Sequence, residues 1–449
     1  MSDMSFNWNL LTIADAVQGR LLGDDLTVHG VTTDTRHAAQ GELFIALQGP
    51  NFDGHDYINQ AEQKGVAAII VTHEITTKLQ QIIVDDTRIA LGRLANAWRR
   101  QFSIPLIAIT GSNGKTTVKE IITTILQQGH NVLATKGNLN NDIGVPLTLL
   151  RLSPEHTAAV IEMGANHPKE IEYLTQLAQP TVALITNAGP AHLEGFGDLD
   201  GVAKAKGEIY SSLTDEGTAI INQDDKYHDY WASLCVGKKI YSFGLSNAAD
   251  FSAEKHNQHI VLTTPNGSVT VDFKLPGEHN LLNALVATAA CSAVGVALDD
   301  VKKGLETIQG VTGRLQLKRG KSGSRIIDDT YNANPASLKV ALQVLREFPG
   351  THLLALGDMG ELGTATEQLH LEAGEQARDS GVNKLYAIGK FAQCSAKSFG
   401  EQGYTFDDQP SMISAIGSHL ANDVTLLVKG SRVMQMENIV NALVANGEN

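Results

Sequence analysis

The chain has 449 residues, 42% of them hydrophobic and 19% charged, with 35 basic against 49 acidic side chains and a net charge of −14. That length exceeds what one core usually holds, so about three domains are expected, and the excess of acid excludes a general cationic field for nucleic acid. No apolar run is long enough to span a bilayer, the opening MSDMSFNWNLL lacks a basic signal-peptide start, and Cys235, Cys291 and Cys394 lie far apart, which predicts a cytoplasmic chain without membrane insertion or disulfides.

In chain order, residues up to about 100 read as a mixture: a short helix at TIADAVQG, then strand-like FIAL and AAIIVT around the polar loop GPNFDGHDY. Glycine and aspartate in that loop suit the lip of a ligand site better than a core. Pro105 opens a region where apolar runs alternate with helical stretches. LIAIT precedes a helix over 116–128, NVLAT and AAVIEMG precede one over 168–178, and VALITN precedes one near 201–212, before TAIIN and IYSFG. Such alternation predicts βαβ units and a parallel sheet covered on both faces. HIVLTT-PNG-SVTVDFKL reads as a hairpin turning at Asn266-Gly267, and EHNLLNALVATAACSAVG as a helix. Near Gly313 a second alternation begins, with RIIDDTY, HLLALGDM, KLYAIG and VTLLVKG each followed by a helix. The predicted fold class is α/β: a small mixed unit over 1–103, a P-loop-type parallel sheet over 104–312 and a Rossmann-like unit over 313–449.

The segment LIAIT-GSNGKTT-VKEIITTIL carries the sharpest chemistry. Apolar Leu106 to Ile109 leads into Gly111, Ser112, Asn113, Gly114, Lys115, Thr116 and Thr117, then a helical pattern. Glycines let the backbone approach an anion, and successive N–H groups then point at phosphate oxygens. The helix adds unpaired N-terminal donors and the positive end of its dipole. Lys115 can neutralise the outer phosphates, and the Thr116 hydroxyl can hold a magnesium ion. A glycine turn before an ordinary surface helix is the plain alternative, but it does not require strand, glycines, lysine and hydroxyl in this order. Gly111 and Gly114 enclose only Ser112 and Asn113, fewer than in the general pattern G-x-x-x-x-G-K. The short loop argues against a GTPase or kinase-like member. Lys-Thr-Thr after the glycines suits a triphosphate better than the dinucleotide of a Rossmann dehydrogenase. Ligands of open α/β sheets sit beyond the carboxyl ends of strands, and GSNGKTT, IEMGAN, TNAGPAHLEG, DDTYNANP, LGDMGELG and VKGSR all fall there. A site between domains is expected.

These clusters, in this order and across essentially the whole chain, resemble the Mur ligase family, the ATP-dependent amide-forming enzymes of peptidoglycan synthesis. GNLNNDIGVP, IEMGANHPKEIEYL, TNAGPAHLEGFG, DDTYNANP and KGSRVMQME look most like the member that joins D-alanyl-D-alanine to UDP-N-acetylmuramoyl-tripeptide. The Asp-Asn-Pro-Arg motif of the family's diaminopimelate-adding member is absent from the terminal segment, which favours the dipeptide-adding reading. The resemblance implies ATP as a substrate, a pair of magnesium ions, an acyl-phosphate intermediate and a monomer.

Glu162, ending AAVIEMG, would face the phosphate loop and share magnesium with Thr116 and the nucleotide; a solvated strand-end cap is the bland alternative. The remaining roles come from the resemblance. His192 would bind a second magnesium beside Asn187, and Lys206 in VAKAKGEIY would be carbamylated, turning a cation into an anionic metal ligand. Lys204 should face away from Lys206 on the same helix. Lys115, Glu162, His192 and Lys206 thus form the expected catalytic set. Asn280 and Asn283 would recognise adenine. Arg314 and Asp329 would contact phosphate and ribose from the second sheet, so that nucleotide binding clamps two domains. Thr35, Arg36 and the loop from Asn51 to Tyr57 would form the uridine-nucleotide pocket, although an exposed arginine is commonly only a surface charge. Asn138, Asn140 and Asn141 would position the acceptor peptide, and Asn332 and Asn334 are placed with the substrates; each serves equally as a turn former. Lys429, Ser431 and Arg432 would hold the carboxylate of the incoming dipeptide. Two alternatives stay open at this point: another amino-acid-adding ligase of the superfamily, and a regulatory ATPase acting on a protein partner.

Overall fold

The computed structural model describes residues 6–190, 193–256, 259–360 and 362–445. In the first sheet Val31–Thr32, Leu43–Ile45, Ala68–Val71 and Gln80–Ile83 run parallel, and Arg20–Leu22 pairs antiparallel with Gln80–Ile83. Strands this short carry no alternation to read, which is why only FIAL and AAIIVT were visible in the sequence. GPNFDGHDY folds into a small hairpin, Gln48–Gly49 against Phe52–Asp53, with a 3-10 turn over Gly54–Tyr57.

The Thr87–Arg99 helix leads out of this unit, started by Asp86, whose carboxylate accepts from the N–H groups of Arg88 and Ile89. Its Leu91, Leu94, Ala95 and Trp98 share one core with Phe6, Leu10 and Ile13 and with Ala108, Ala159 and Ile161 of the next sheet. Fully burying each leucine, isoleucine or phenylalanine among them stabilises by about 1.5–3 kcal/mol. The amino-terminal unit is therefore seated on the central sheet, not merely tethered to it.

The central sheet has the order Val132–Ala134, Ala158–Glu162, Leu106–Thr110, Val182–Ile185, Thr218–Asn222, Lys239–Phe243, parallel throughout. Alternate residues of Leu106–Thr110 serve opposite cores. Leu106 and Ala108 face the amino-terminal helices, while Ile107 and Ile109 pack with Val118, Ile121 and Ile125 of the Lys115–Leu126 helix and with Ala284 and Ala287 of Glu278–Ala293. Strand order reverses across Leu106–Thr110, since both its neighbours follow it in the chain. The crevice beyond the carboxyl end of such a strand is where open α/β sheets bind ligands.

A three-stranded antiparallel sheet, Ser252–His256, His259–Thr264 and Gly267–Val271, follows. Its register corrects the expected turn. Thr264 pairs with Gly267, so Pro265 and Asn266 form the loop and Gly267, at φ +122°, already belongs to the strand. The last sheet runs Gln316–Arg319, Arg325–Asp329, Val424–Lys429, Thr351–Gly357, Lys384–Ile388, Gly403–Phe406, and only its first strand is antiparallel. The Pro335–Arg346 helix on it begins with a capping box in which Asn334 and Ser337 each accept from the other's backbone N–H. Among the described residues no helix is long and apolar enough to cross a membrane.

Candidate active site

Beyond Thr110 the chain turns at Gly111 and Gly114, at φ +145° and +83°. Both positions exclude a side chain: a Cβ on Gly111 would lie 1.9 Å from Thr186 Oγ1, and one on Gly114 would lie 2.8 Å from Asn283 Oδ1. The loop between them is pinned from the end of Val182–Ile185. Ser112 N donates to Asn187 O (3.0 Å), Asn113 N donates to Asn187 Oδ1 (3.1 Å), and Thr186 Oγ1 donates to Asn113 O (2.6 Å). Gly114 caps the Lys115–Leu126 helix and offers no side chain to its first N–H groups, which leaves them to an anion. Lys115 Nζ folds back onto the carbonyls of Gly111 (2.7 Å) and Ser112 (3.3 Å).

This loop forms one wall of a cleft of about 1200 Å³ that also meets residues of the amino-terminal unit and of the last sheet. Glu162, at the end of the neighbouring strand, is 2% exposed; its Oε1 accepts from Asn140 Nδ2 at 2.8 Å, and its Oε2 is buried without a hydrogen-bond partner. Lys206, on the Leu199–Gly207 helix, is also buried at the cleft, whereas Lys204 is exposed. Burial, reinforced by the charge of Lys115, brings the Lys206 amine down to about 7. Burial lowers Lys115 as well, against the attraction of Glu162. Among the described residues no group of three or more His, Cys, Asp or Glu is gathered to hold a metal. The orphaned Glu162 oxygen and a Lys206 amine able to shed its charge, both lining the cleft, nevertheless fit a divalent cation, which takes hard oxygen ligands.

Asn280 and Asn283 stand at the start of Glu278–Ala293, joined by a hydrogen bond from Asn283 Nδ2 to Asn280 Oδ1 (3.0 Å). They line the cleft with Asn222, Phe243 and Val286. Just ahead of the last sheet, the Arg314 guanidinium lies 4.0 Å from the centre of the Tyr331 ring, and its Nε is buried without a partner. Asp329 Oδ2 accepts from Lys429 Nζ at 2.5 Å, and Lys429 also donates to Asn332 O at 2.9 Å. Asn334 Nδ2 reaches Asn113 Oδ1 at 3.5 Å, so the phosphate loop touches the helix start of the carboxy-terminal unit. From the loop after Val132–Ala134, Asn138, Asn140 and Asn141 line the cleft, and Asn141 Oδ1 accepts from Gly144 N at 2.8 Å to start the Gly144–Leu149 helix.

Several expected residues are placed otherwise. Gly111 of the loop and Thr116 of the helix that follows it are not part of the surface lining the cleft. Thr35 is buried and donates to Gln60 Oε1 (2.5 Å), and Arg36 is exposed and pairs with Asp34, which it pulls down to about 2. Arg36 is thus a locally neutralised turn residue, not a free cation. Ser431 is buried with an unpartnered Oγ, and Arg432 pairs with Glu437 (2.8 Å); neither lines the cleft. Lys429 does line it, but its ammonium is already engaged by Asp329. His192 lies outside the described residues. The sequence reading missed Arg88, whose Nη2 donates to Asp142 Oδ1 at 2.8 Å and ties the amino-terminal unit to the asparagine loop. It also missed Tyr173, and His279, whose imidazole burial pushes down to about 4. Arg88 and Asp142 lie 54 positions apart, and no local pattern links them.

The Mur ligase middle domain matches residues 109–291, the Mur ligase glutamate ligase domain matches 313–432, and the Mur ligase family catalytic domain matches 27–99. The chain is 45% identical over 446 residues to the UDP-N-acetylmuramoyl-tripeptide–D-alanyl-D-alanine ligase of Escherichia coli K12, covering 98% of each chain. Its fold is similar to the crystal structure of MurF from Acinetobacter baumannii, with a TM-score of 0.91 at 38% identity over 98% of this chain and 99% of that one. The MurF ligase of Thermotoga maritima in complex with ADP aligns with a TM-score of 0.83 at 27% identity, over 92% and 96% of the two chains. The chain belongs to the Mur ligase family.

Proposed function

We propose that the chain is an ATP-dependent ligase that joins D-alanyl-D-alanine to UDP-N-acetylmuramoyl-tripeptide, giving the pentapeptide nucleotide for peptidoglycan synthesis. One observation carries the reading: a phosphate loop, a buried Glu162 and Lys206, and Arg314 and Asp329 of the carboxy-terminal unit converge on one cleft, in a chain whose full-length relatives bear that activity.

The triphosphate lies along Gly111 to Thr117, with Lys115 turning from the loop carbonyls to the outer phosphates. Asn280 and Asn283 take the adenine, and Arg314 and Asp329 take phosphate and ribose. The unit 1–103 serves the uridine end; 104–312 binds ATP; 313–449 binds the dipeptide and clamps the nucleotide. Asn138, Asn140 and Asn141 present the tripeptide. Asn332 and Asn334 serve the dipeptide, with Lys429 orienting Asp329 and Asn332.

The tripeptide carboxylate attacks the γ-phosphorus, ADP leaves and an acyl phosphate forms. The dipeptide amine then attacks the activated carbonyl, and the tetrahedral adduct expels phosphate, which carries off the amine proton. Lys115 and the helix N-terminus offset the charge that builds when two anions meet. Closure of the cleft orients the reactants and keeps water from the acyl phosphate. Lys206, whose lowered pKa leaves a substantial neutral fraction near pH 7, adds its neutral amine to carbon dioxide and releases a proton, leaving a carbamate. Magnesium ions held by Thr116, Glu162, His192 and the Lys206 carbamate would supply further charge neutralisation between triphosphate and carboxylate. A monomer is the assembly proposed for this chain. The test is ADP release across a panel of acceptors: it should require the tripeptide nucleotide and D-alanyl-D-alanine together. ADP release that ignores both, or that depends on a different amino acid, refutes the reading.

A further inference from the structure

Lys119 is a buried ammonium that the ligation reaction does not use. It sits on the phosphate-loop helix one turn beyond Lys115 and is only 2% exposed. Its Nζ donates to the Thr135 carbonyl at 2.8 Å and lies 2.6 Å from Glu120 Oε1. Thr135 is where the Val132–Ala134 strand gives way to the loop carrying Asn138, Asn140 and Asn141. Its Oγ1 accepts from the backbone N–H of Glu162 at 3.0 Å, and its own N–H donates to Val160 O at 3.1 Å. Further along the same loop, Asn140 holds the Glu162 carboxylate through Nδ2 and accepts from Gly164 N at 2.7 Å. Glu162 is therefore gripped by both ends of one loop, and the root of that loop is tied to the nucleotide-binding helix through Lys119.

A buried ammonium is costly unless it is paired and hydrogen-bonded, and methionine would fill the same space without that cost. What lysine adds is a fixed distance between helix and loop root. We propose that Lys119 is a positioning residue that registers the acceptor-side loop and Glu162 against the phosphate loop, so that nucleotide and acceptor meet in alignment. The inference rests on the ligase reading.

The wild-type enzyme first shows whether ADP release needs both acceptors. Failure of the ligase reading appears there, in the unaltered protein, whereas failure of the Lys119 proposal appears only in the variants. Lys119→Met, Lys119→Arg and Thr135→Val are then compared. Calorimetry measures binding of a non-hydrolysable ATP analogue and of the tripeptide nucleotide, and ADP release measures turnover. In Lys119→Met, analogue affinity should stay within about twofold, while KM for the tripeptide nucleotide rises and kcat falls by about tenfold each. Lys119→Arg keeps a donor for the Thr135 carbonyl and should recover part of both. Thr135→Val leaves that carbonyl but removes the hydroxyl that Glu162 N–H needs, and should reproduce the loss in kcat. Unchanged kinetics in Lys119→Met, or equal weakening of both ligands, overturns the proposal. Should Lys119→Met fail to fold, Lys119→Gln, which shortens the arm and removes the charge, decides in its place, and wild-type kinetics in that variant overturn the proposal.

Discussion

Replacing Lys206 by methionine should make the protein more stable and inactive at once. The two stems are similar, but methionine carries no charge into a site that is 2% exposed. The Lys206 amine sits at about 7 against an ordinary 10.5. At about 1.4 kcal/mol for each tenfold change, that gap weighs roughly 5 kcal/mol against the charged form in the fold. The folded value is the lower one, so between pH 7 and pH 10.5 the unfolded chain binds the extra proton and stability rises with pH. The penalty is present in full below pH 7 and fades as pH climbs toward the unfolded value. Lys206→Met should therefore gain up to roughly 5 kcal/mol at pH 6 but only about 2 kcal/mol at pH 9. Denaturant unfolding of both proteins at the two pH values, in buffer freed of carbon dioxide so that the amine stays unmodified, measures this. A variant no more stable at pH 6 than at pH 9 refutes the reasoning. The same depressed amine is the form that takes up carbon dioxide. Wild-type activity at pH 8 should rise with added bicarbonate, and labelled bicarbonate should give a carbamate carbon resonance that Lys206→Met lacks.

Lys115→Ala should lower kcat by at least about a hundredfold while leaving the unfolding midpoint near wild type, and near-normal ligation would remove the phosphate-loop assignment. Gly114→Ala places a side chain at φ +83° and 2.8 Å from Asn283 Oδ1. It should weaken ATP binding in a titration with an ATP analogue, and wild-type affinity would show that the loop tolerates a Cβ. Asn334→Ala loses the cap of Pro335–Arg346 and its 3.5 Å contact with Asn113. About 1 kcal/mol of stability should go with it, together with a raised KM for ATP; a change in stability alone would confine Asn334 to capping.

The parallel sheets were legible because their strands are buried on both faces and read as unbroken apolar runs, as in LIAIT, VALITN and TAIIN. The phosphate loop was legible for a local reason too, since a turn against an anion needs glycine within a few residues of lysine and hydroxyl. In the amino-terminal unit Arg20–Leu22 and Val31–Thr32 escaped because two or three residues cannot show a period. The hairpin slipped by one residue because Pro265, Asn266 and Gly267 all carry turn chemistry, and only pairing with Thr264 selects the first two. Arg36 illustrates a different limit: its charge was plain, but Asp34 consumes it two residues away.

Sequence by itself determined the alternation of strands and helices, the order of polar clusters at strand ends, and the family. Those are properties of neighbours along the chain, where backbone conformation and hydrophobic period act. Only the tertiary structure decided the lowered pKa of Lys206, the orphaned oxygen of Glu162, the engagement of Lys429 by Asp329, and the bond from Lys119 to Thr135. Each of these depends on desolvation and on partners brought in from distant segments, and burial is a property of the packed fold.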